Sequence, residues 1–322
     1  MKLITVIGHK NPDTDSVIAS LIFVDFLKKK KKPILGFSGF RIEPRVSGDL
    51  NKETKFVLKY FKQAPPPLVK SLKNKDVFLV DHGGYEQAAE GAEEARIVGV
   101  LDHHKLEGLK SASPVFFRVE PIGSTSTLIA KMFLENNLSF DKKTAGLLLA
   151  AVLSDTLKFT SPTTTDEDKK IANILSKISR ENINKLSQKM FEAKSDIRGI
   201  SLAELISQDY KEYKVNEVSF GFGVWETINP NKIKERKKEI FSALEKFKKE
   251  RKKDLMFFAL VDILKKNSEI FLPGEKEKLI AEKVFKNKTK GNILFLRGVV
   301  SRKKQMIPDL TKFLERNEVI NK

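Results

Sequence analysis

The sequence predicts an α/β protein: a doubly wound parallel sheet on the N-terminal side, followed by a second, smaller α/β domain. Three observations carry this. Apolar runs of strand length alternate with stretches of helical period over the first half of the chain. Those runs are almost continuously apolar, as expected for strands of a parallel sheet buried on both faces. After about residue 190 the character changes, and strand-like runs are separated by long basic helices.

In chain order, Leu3-Ile4-Thr5-Val6-Ile7 reads as a strand and Val17 to Leu27 as the helix after it, with His9-Lys10-Asn11-Pro12-Asp13-Thr14-Asp15-Ser16 as the loop between. The helix closes on Lys28 to Lys32, favourable cations at a C-terminus, and Pro33 stops it. Residues 33–37 read as a second strand, Asn51 to Phe61 as a helix and Pro65 to Pro67 as a loop. Asp76 to Val80 is a buried strand that delivers Asp81-His82, and Ala88 to Ala95 is expected to be its return helix. Arg96 to Leu101 is the next strand and delivers Asp102-His103-His104. Gly123 to Thr127 opens a helix and suits either a phosphate cradle or an ordinary cap. Thr144 to Leu153 is a buried run ending at Ser154-Asp155-Thr156, and Thr163 to Asp166 precedes a helix over 167–178. The first domain is expected over 1–190, and a linker over 191–204, where no clean period is visible. The second domain, 205–322, has strands at 219–225, 255–263 and 293–300. Ile240, Leu244 and Phe247 share one face of a basic helix.

Composition removes several classes of function. The 322 residues, 40% of them hydrophobic, are enough for two cored domains. With no cysteine there is no disulfide framework and no thiolate metal site, so a metal would be held by imidazole and carboxylate. The opening residues show no signal-peptide pattern, and the longest strongly apolar stretch, Leu147 to Leu153, is far too short to span a bilayer. A soluble, cytoplasmic protein is expected. The formal charge of +18 is spread along the chain, which fits an acidic small substrate or a lysine-rich proteome better than nucleic acid.

The chemistry lies in the histidines. All four, His9, His82, His103 and His104, stand in clusters with aspartate, each after an apolar strand. Asp155 ends a further apolar run. Ligands of open α/β sheets bind at the carboxyl ends of the strands, so these features converge on one sheet edge. His9, Asp13, Asp15, Asp81, His103 and Asp155 are six candidate ligands. One ion rarely takes six side chains and keeps a position open for substrate, whereas two ions sharing a carboxylate each could. Mixed imidazole and carboxylate ligation suits manganese, cobalt or iron better than calcium. Two ions about 3.5–4 Å apart lower the pKa of a bridging water and hold both sides of an in-line phosphoryl displacement. Hydrolysis of a phosphate compound is the expected reaction class. His82 reads as a supporting residue rather than a ligand, and Asp49 and Glu53 as surface or helix-start residues.

Gly8 to Ser16, Asp102-His103-His104 and Ser154-Asp155-Thr156 resemble the DHH phosphoesterase superfamily, and within it the family II, manganese-dependent inorganic pyrophosphatases. Arg45 to Thr54 is similar to that family's segment between its first two metal motifs. Ser301-Arg302-Lys303-Lys304-Gln305 is similar to its substrate-binding motif, although composition alone would read it as a solvated run. The resemblance spans essentially the whole chain. It implies hydrolysis of pyrophosphate by a metal-bridged hydroxide at a dinuclear Mn2+ (or Co2+) site, with Mg2+ accompanying the substrate, in a homodimer. It places His9, Asp13 and Asp155 on one ion, Asp15 and His103 on the other, and Asp81 between them. His104 donates to a phosphate oxygen, Asp102 orients a ligand, and Arg302 and Lys303 grip the substrate.

Two departures from the family stand out. Gly83-Gly84 replaces a polar pair after Asp81-His82. Ile200 stands where the family often places a substrate-binding lysine, for which Lys194 is a candidate substitute. An exopolyphosphatase or another phosphohydrolase of short polyphosphate chains is the alternative reading.

Overall fold

Chain contacts divide the protein into two units, Met1–Lys194 and Ser195–Lys322. The computed structural model describes residues 2–30, 39–105, 108–109 and 114–316. The strand expected at 33–37 lies outside the described residues.

The first unit begins β1 (Leu3–Ile7), α1 (Thr14–Lys29), β2 (Arg41–Arg45), α2 (Lys52–Tyr60), β3 (Asp76–Val80), β4 (Arg96–Asp102) and β5 (Phe116–Val119). It ends α3 (Thr125–Glu135), α4 (Lys142–Asp155), α5 (Asp166–Ser179) and α6 (Ile183–Lys194). The five strands pair in parallel in the order β2-β1-β3-β4-β5. Alternation along the strands sends Phe78 to one face, where its ring meets Phe23 of α1 at 4.6 Å. Val77 and Leu79 go to the other face, in a cluster with Ile7, Ile97 and Val100. α4 is buried along nearly its whole length and packs on α1, α3 and α5.

Two expectations change here. Residues 88–95 do not form a return helix. One short helical turn, Tyr85–Gln87, precedes them and they hold only another, Ala92–Glu94, with Ala88, Ala89 and Ala92 on the Val77 face. Their backbone is claimed elsewhere, since Glu90 O and Glu94 O accept from Leu72 N (2.8 Å) and Asn74 N (3.1 Å). Gly91 makes this possible: its φ is +78°, and a Cβ there would come within 2.7 Å of Lys73 N. In the expected linker, α6 continues through buried Phe191 to Lys194, so only 195–201 connects it to the next helix.

The second unit contains α7 (Leu202–Ser207), β6 (Asp209–Val215), β7 (Val218–Thr227), α8 (Pro230–Lys234), α9 (Lys237–Glu250), β8 (Leu255–Asp262) and β9 (Asn267–Phe271). It closes with α10 (Glu275–Phe285), β10 (Thr289–Lys290), β11 (Ile293–Arg297) and α11 (Ile307–Arg316). Its sheet, β10-β11-β9-β8-β7-β6, is mixed; only β7 and β8 run parallel. β8 is buried at every position, and Ile240, Leu244 and Phe247 of α9 pack into the same core as Met256, Phe258 and Leu260. No helix among the described residues is long and apolar enough to cross a membrane.

Candidate metal centre

Three strands and two helices deliver acidic and imidazole side chains to one end of the first sheet. His9 follows β1. Asp13 caps α1, accepting from Ser16 N at 2.9 Å, and Asp15 sits in the first turn. Asp81 follows β3; Asp102 ends β4 and leads into His103 and His104. Asp155 is the last residue of α4, so it arrives from a helix end.

The donor atoms form two principal groups that share Asp81, and a third that overlaps the second, in which His104 joins Asp81 and His103. His9 Nε2 lies 3.5 Å from Asp13 Oδ2 and 3.5 Å from Asp81 Oδ2. His103 Nε2 lies 3.4 Å from Asp81 Oδ1 and 3.3 Å from Asp155 Oδ2, and Asp15 completes that group. Atoms bound to one ion at about 2.1 Å stand about 3.0–3.4 Å apart, so both groups have the spacing of a ligand set. Asp81 Oδ2 and His103 Nε2 are buried without a hydrogen-bond partner among the described residues, a deficit that a cation would remove. His103 Nδ1 donates to Ile122 O at 2.9 Å, which leaves the Nε2 lone pair facing the carboxylates. The resemblance puts Asp155 with His9 and Asp13. Its carboxylate instead stands with Asp15, Asp81 and His103, because the packing of α4 ends that helix beside His103.

The electrostatics agree with a cation site. Burial would lower His9, but its hydrogen bond to Asp13 and the charges of Asp13, Asp81 and Asp15 outweigh it and raise the imidazole to about 9. Burial of His103 is likewise outweighed by Asp155 and Asp81, and the ring is pushed up to about 12. Burial and the charge of Asp15 push Asp81 up to about 7. Crowded acids of this kind raise one another's pKa, and a bound cation would relieve their mutual repulsion.

The surrounding backbone fixes these carboxylates. Asp81 has φ +64°, a left-handed conformation uncommon outside glycine, and its N–H donates to Leu101 O at 2.9 Å. Thr125 N and Ser126 N, at the start of α3, donate to Asp15 at 2.7 and 3.0 Å, and Thr125 Oγ1 donates to Asp81 Oδ1 at 2.9 Å. The turn at Gly123–Thr127 therefore holds one of the chain's own carboxylates at the helix N-terminus. Beyond Asp155, Leu157, Lys158 and Phe159 all have positive φ (46°, 53° and 67°), a complete left-handed run.

Other residues flank the groups. Buried Asp102 accepts through Oδ1 from His103 N (2.7 Å), His104 N (3.1 Å) and His104 Nδ1 (2.9 Å). The Asp102 bond holds the half-exposed His104 ring above its ordinary pKa, and turns Nε2 away from Asp102. His82 belongs to neither group; its Nδ1 donates to Val80 O at 3.0 Å, and burial pushes it down to about 4. Glu53 is at a helix start, as expected, yet it is buried and not a surface residue. It accepts from Ser154 Oγ at 2.9 Å and from Thr14 Oγ1 at 3.4 Å, tying the neighbours of Asp155, Asp13 and Asp15 together. Burial pushes Glu53 up, and the charge of Lys194, at the end of α6, opposes it; the same charge reaches Asp13. The sequence marks Gly123 to Thr127 as a hydroxyl-rich turn and Glu53 as a helix-start residue, but not that Thr125, Ser126 and Glu53 support the neighbouring carboxylates.

In the second unit, Ser301 caps a wide helical turn, Arg302–Met306, where Gln305 N (2.9 Å) and Met306 N (3.2 Å) both donate to Ser301 O. Arg302 is buried. It donates to Asp209 O (2.5 Å), Asp209 Oδ1 (2.7 Å) and Phe222 O (3.1 Å). Lys303 is exposed. Ile200 packs on the core that includes Leu205 and Ile206.

Comparison with known proteins follows the same division of the chain. Residues 3–152 match the DHH family N-terminal domain, and residues 188–313 match the DHHA2 domain. The manganese-dependent inorganic pyrophosphatase of Methanocaldococcus jannaschii is 37% identical over 316 residues, covering 95% of this chain and 98% of that one. That of Bacillus subtilis is 36% identical over 313 residues, covering 97% and 98%. A crystal structure of a family II inorganic pyrophosphatase from Methanococcus jannaschii superposes with a TM-score of 0.65 at 36% identity, covering 97% of this chain and 99% of that one. Identity above one third, sustained over nearly the full length of both partners, makes this chain a member of the family of manganese-dependent inorganic pyrophosphatases.

Proposed function

We propose that the chain hydrolyses inorganic diphosphate to two phosphates, with two Mn2+ ions per subunit, or Co2+ in their place. The observation that carries this is the sharing of Asp81 between two ligand groups, in a chain whose relatives are named for that activity. His9, Asp13 and Asp81 would hold one ion, and Asp15, Asp81, His103 and Asp155 the other. When bound, such a pair supplies charge neutralisation at phosphoryl oxygens and a nucleophilic oxygen at neutral pH. The remaining steps belong to the chain. Asp102 orients His104 so that its ring can donate to a phosphate oxygen. Lys194, beside Asp13 and Glu53, supplies an ammonium on the first unit, in place of the one that Ile200 does not provide. Lys303 is an exposed cation on the second unit, and Arg302 joins it by exchanging its bonds to Asp209 for bonds to substrate.

In this reading the first unit carries the metals and the second unit binds substrate, with Mg2+ entering alongside the pyrophosphate. The homodimer and the cytoplasmic location are part of the same proposal; β5, at one edge of the first sheet with Phe117 exposed, supports edge pairing. A second reading, hydrolysis of short polyphosphate chains, rests on Ile200.

The test is phosphate release from pyrophosphate, tripolyphosphate and a nucleotide, with protein stripped of metal and reloaded with Mn2+, Co2+, Mg2+ or Zn2+. Fast release from pyrophosphate with Mn2+ or Co2+ supports the first reading. Release mainly from tripolyphosphate supports the second, and release from neither overturns both.

A further inference from the structure

Asp168 belongs to neither ligand group, yet its bonds lead to one of them. It lies in the first turn of α5 and is fully buried. No lysine, arginine or histidine among the described residues is ion-paired with it. A buried carboxylate without a cation is costly unless its lone pairs are filled. Four donors fill them. Thr165 N (2.8 Å) and Thr165 Oγ1 (2.7 Å) are local and form the capping box of α5. Gly123 N (2.9 Å) and Thr127 Oγ1 (2.6 Å) lie more than forty residues earlier, in the turn that opens α3. Capping α5 requires only the local pair.

That turn also holds the candidate ligands. Thr125 N and Ser126 N donate to Asp15, and Thr125 Oγ1 donates to Asp81. Asp168 thus grips Gly123 and Thr127 while Asp15 and Asp81 are held by Thr125 and Ser126 between them. The docking is close: a Cβ at Gly123 would come 2.7 Å from Asp168 Oδ2 and 2.8 Å from Thr156 Cγ2. Any shift of this turn moves the donors that aim Asp15 and Asp81.

We infer that Asp168 is a positioning residue for the group Asp15, Asp81, His103 and Asp155: it fixes the α3 turn that aims two of those carboxylates, and does not itself touch an ion. This rests on the reading of that group as a metal site. Groups behind a ligand commonly change metal affinity by about 10–100-fold when removed.

The test is calorimetric titration of Mn2+ into the metal-free, full-length protein, with melting temperatures measured alongside. Asp168→Asn keeps the shape but turns one acceptor into a donor. It is expected to bind Mn2+ about 10–100-fold more weakly at the site that includes Asp15, with a smaller loss at the other, which shares only Asp81. Asp141→Ala removes an exposed cap from the far end of α4; it should lower the melting temperature and leave both Mn2+ affinities unchanged. If Asp168→Asn melts lower but binds both ions like wild type, its role is only structural and the inference falls. If Asp168→Asn does not fold, Thr127→Val decides, since it removes one bond to the turn and leaves Asp168 in place; wild-type Mn2+ binding there also overturns the inference. A wild-type protein that takes up no Mn2+ overturns the metal reading itself, and this inference with it.

Discussion

The two units hold their charges in opposite ways. In the first, six acidic or imidazole side chains converge from β1, α1, β3, β4 and α4, and backbone or hydroxyl donors fix Asp13, Asp15 and Asp81. In the second, the residues expected to meet substrate are cations, and they differ among themselves: Lys303 is exposed, while Arg302 is committed to Asp209 and Phe222. The difference shows where organisation precedes binding. The side chains that could hold a metal are arranged in advance, because the ends of parallel strands and two helix termini set them. A substrate site of the proposed kind on the second unit would have to be assembled from exposed Lys303 and from an Arg302 released by Asp209.

The strongest way to break this comparison is Asp81→Ala. Both groups share that carboxylate, so the variant should lose phosphate release altogether and bind fewer Mn2+ ions, read by calorimetry and assay. Retention of either ion at wild-type affinity would mean that the groups do not depend on a common ligand. Next is Arg302→Ala. It strands Asp209 and the Phe222 carbonyl, so it should lose about 1–3 kcal/mol of stability in urea melts as well as activity. Lys303→Ala should raise KM with an unchanged melting temperature. If the two variants behave alike, Arg302 is not the tied residue that its bonds describe.

Lys194→Gln tests the first unit's own cation. KM for pyrophosphate should rise several-fold, and metal content should stay as it was. The smallest effect is expected at the surface. Arg118 holds Glu135 below its ordinary pKa by donating to it at 2.6 Å. Its contribution to stability is present above the ordinary glutamate pKa and is lost as the pH falls through the lowered folded value. Glu135→Gln should therefore differ from wild type only slightly near neutrality and not at all in strong acid, as measured by urea melts.

Much of this was legible in the sequence, for reasons that also explain what was not. The strands at 3–7, 76–80 and 96–101 stand out because burial on both faces leaves them continuously apolar, and the Asp and His residues follow each one directly. β6 hid because an edge strand with one wet face reads as Asp-Tyr-Lys-Glu-Tyr-Lys-Val, which resembles a charged loop. Residues 88–95 looked helical because alanine favours helices, but hydrogen bonds to 72–74 and the φ of Gly91 decided otherwise. Asp155 stands near Asp15, Asp81 and His103, and spacing along the chain does not say on which side of Asp81 a helix will end. Glu53 sits among lysines and reads as exposed; its burial comes from Ser154, more than a hundred residues away.

The left-handed run at Leu157–Phe159 has a consequence for evolvability. Each non-glycine residue there is strained by about 1–2 kcal/mol relative to the right-handed region, and all three follow directly on a candidate metal ligand and its neighbour. That strain is an untapped reserve of thermostability. Lys158→Gly should raise the melting temperature by relaxing it, while allowing the end of α4, and Asp155 with it, to wander. The native chain keeps the less stable choice, as proteins do where a rigid site matters more than a high melting point.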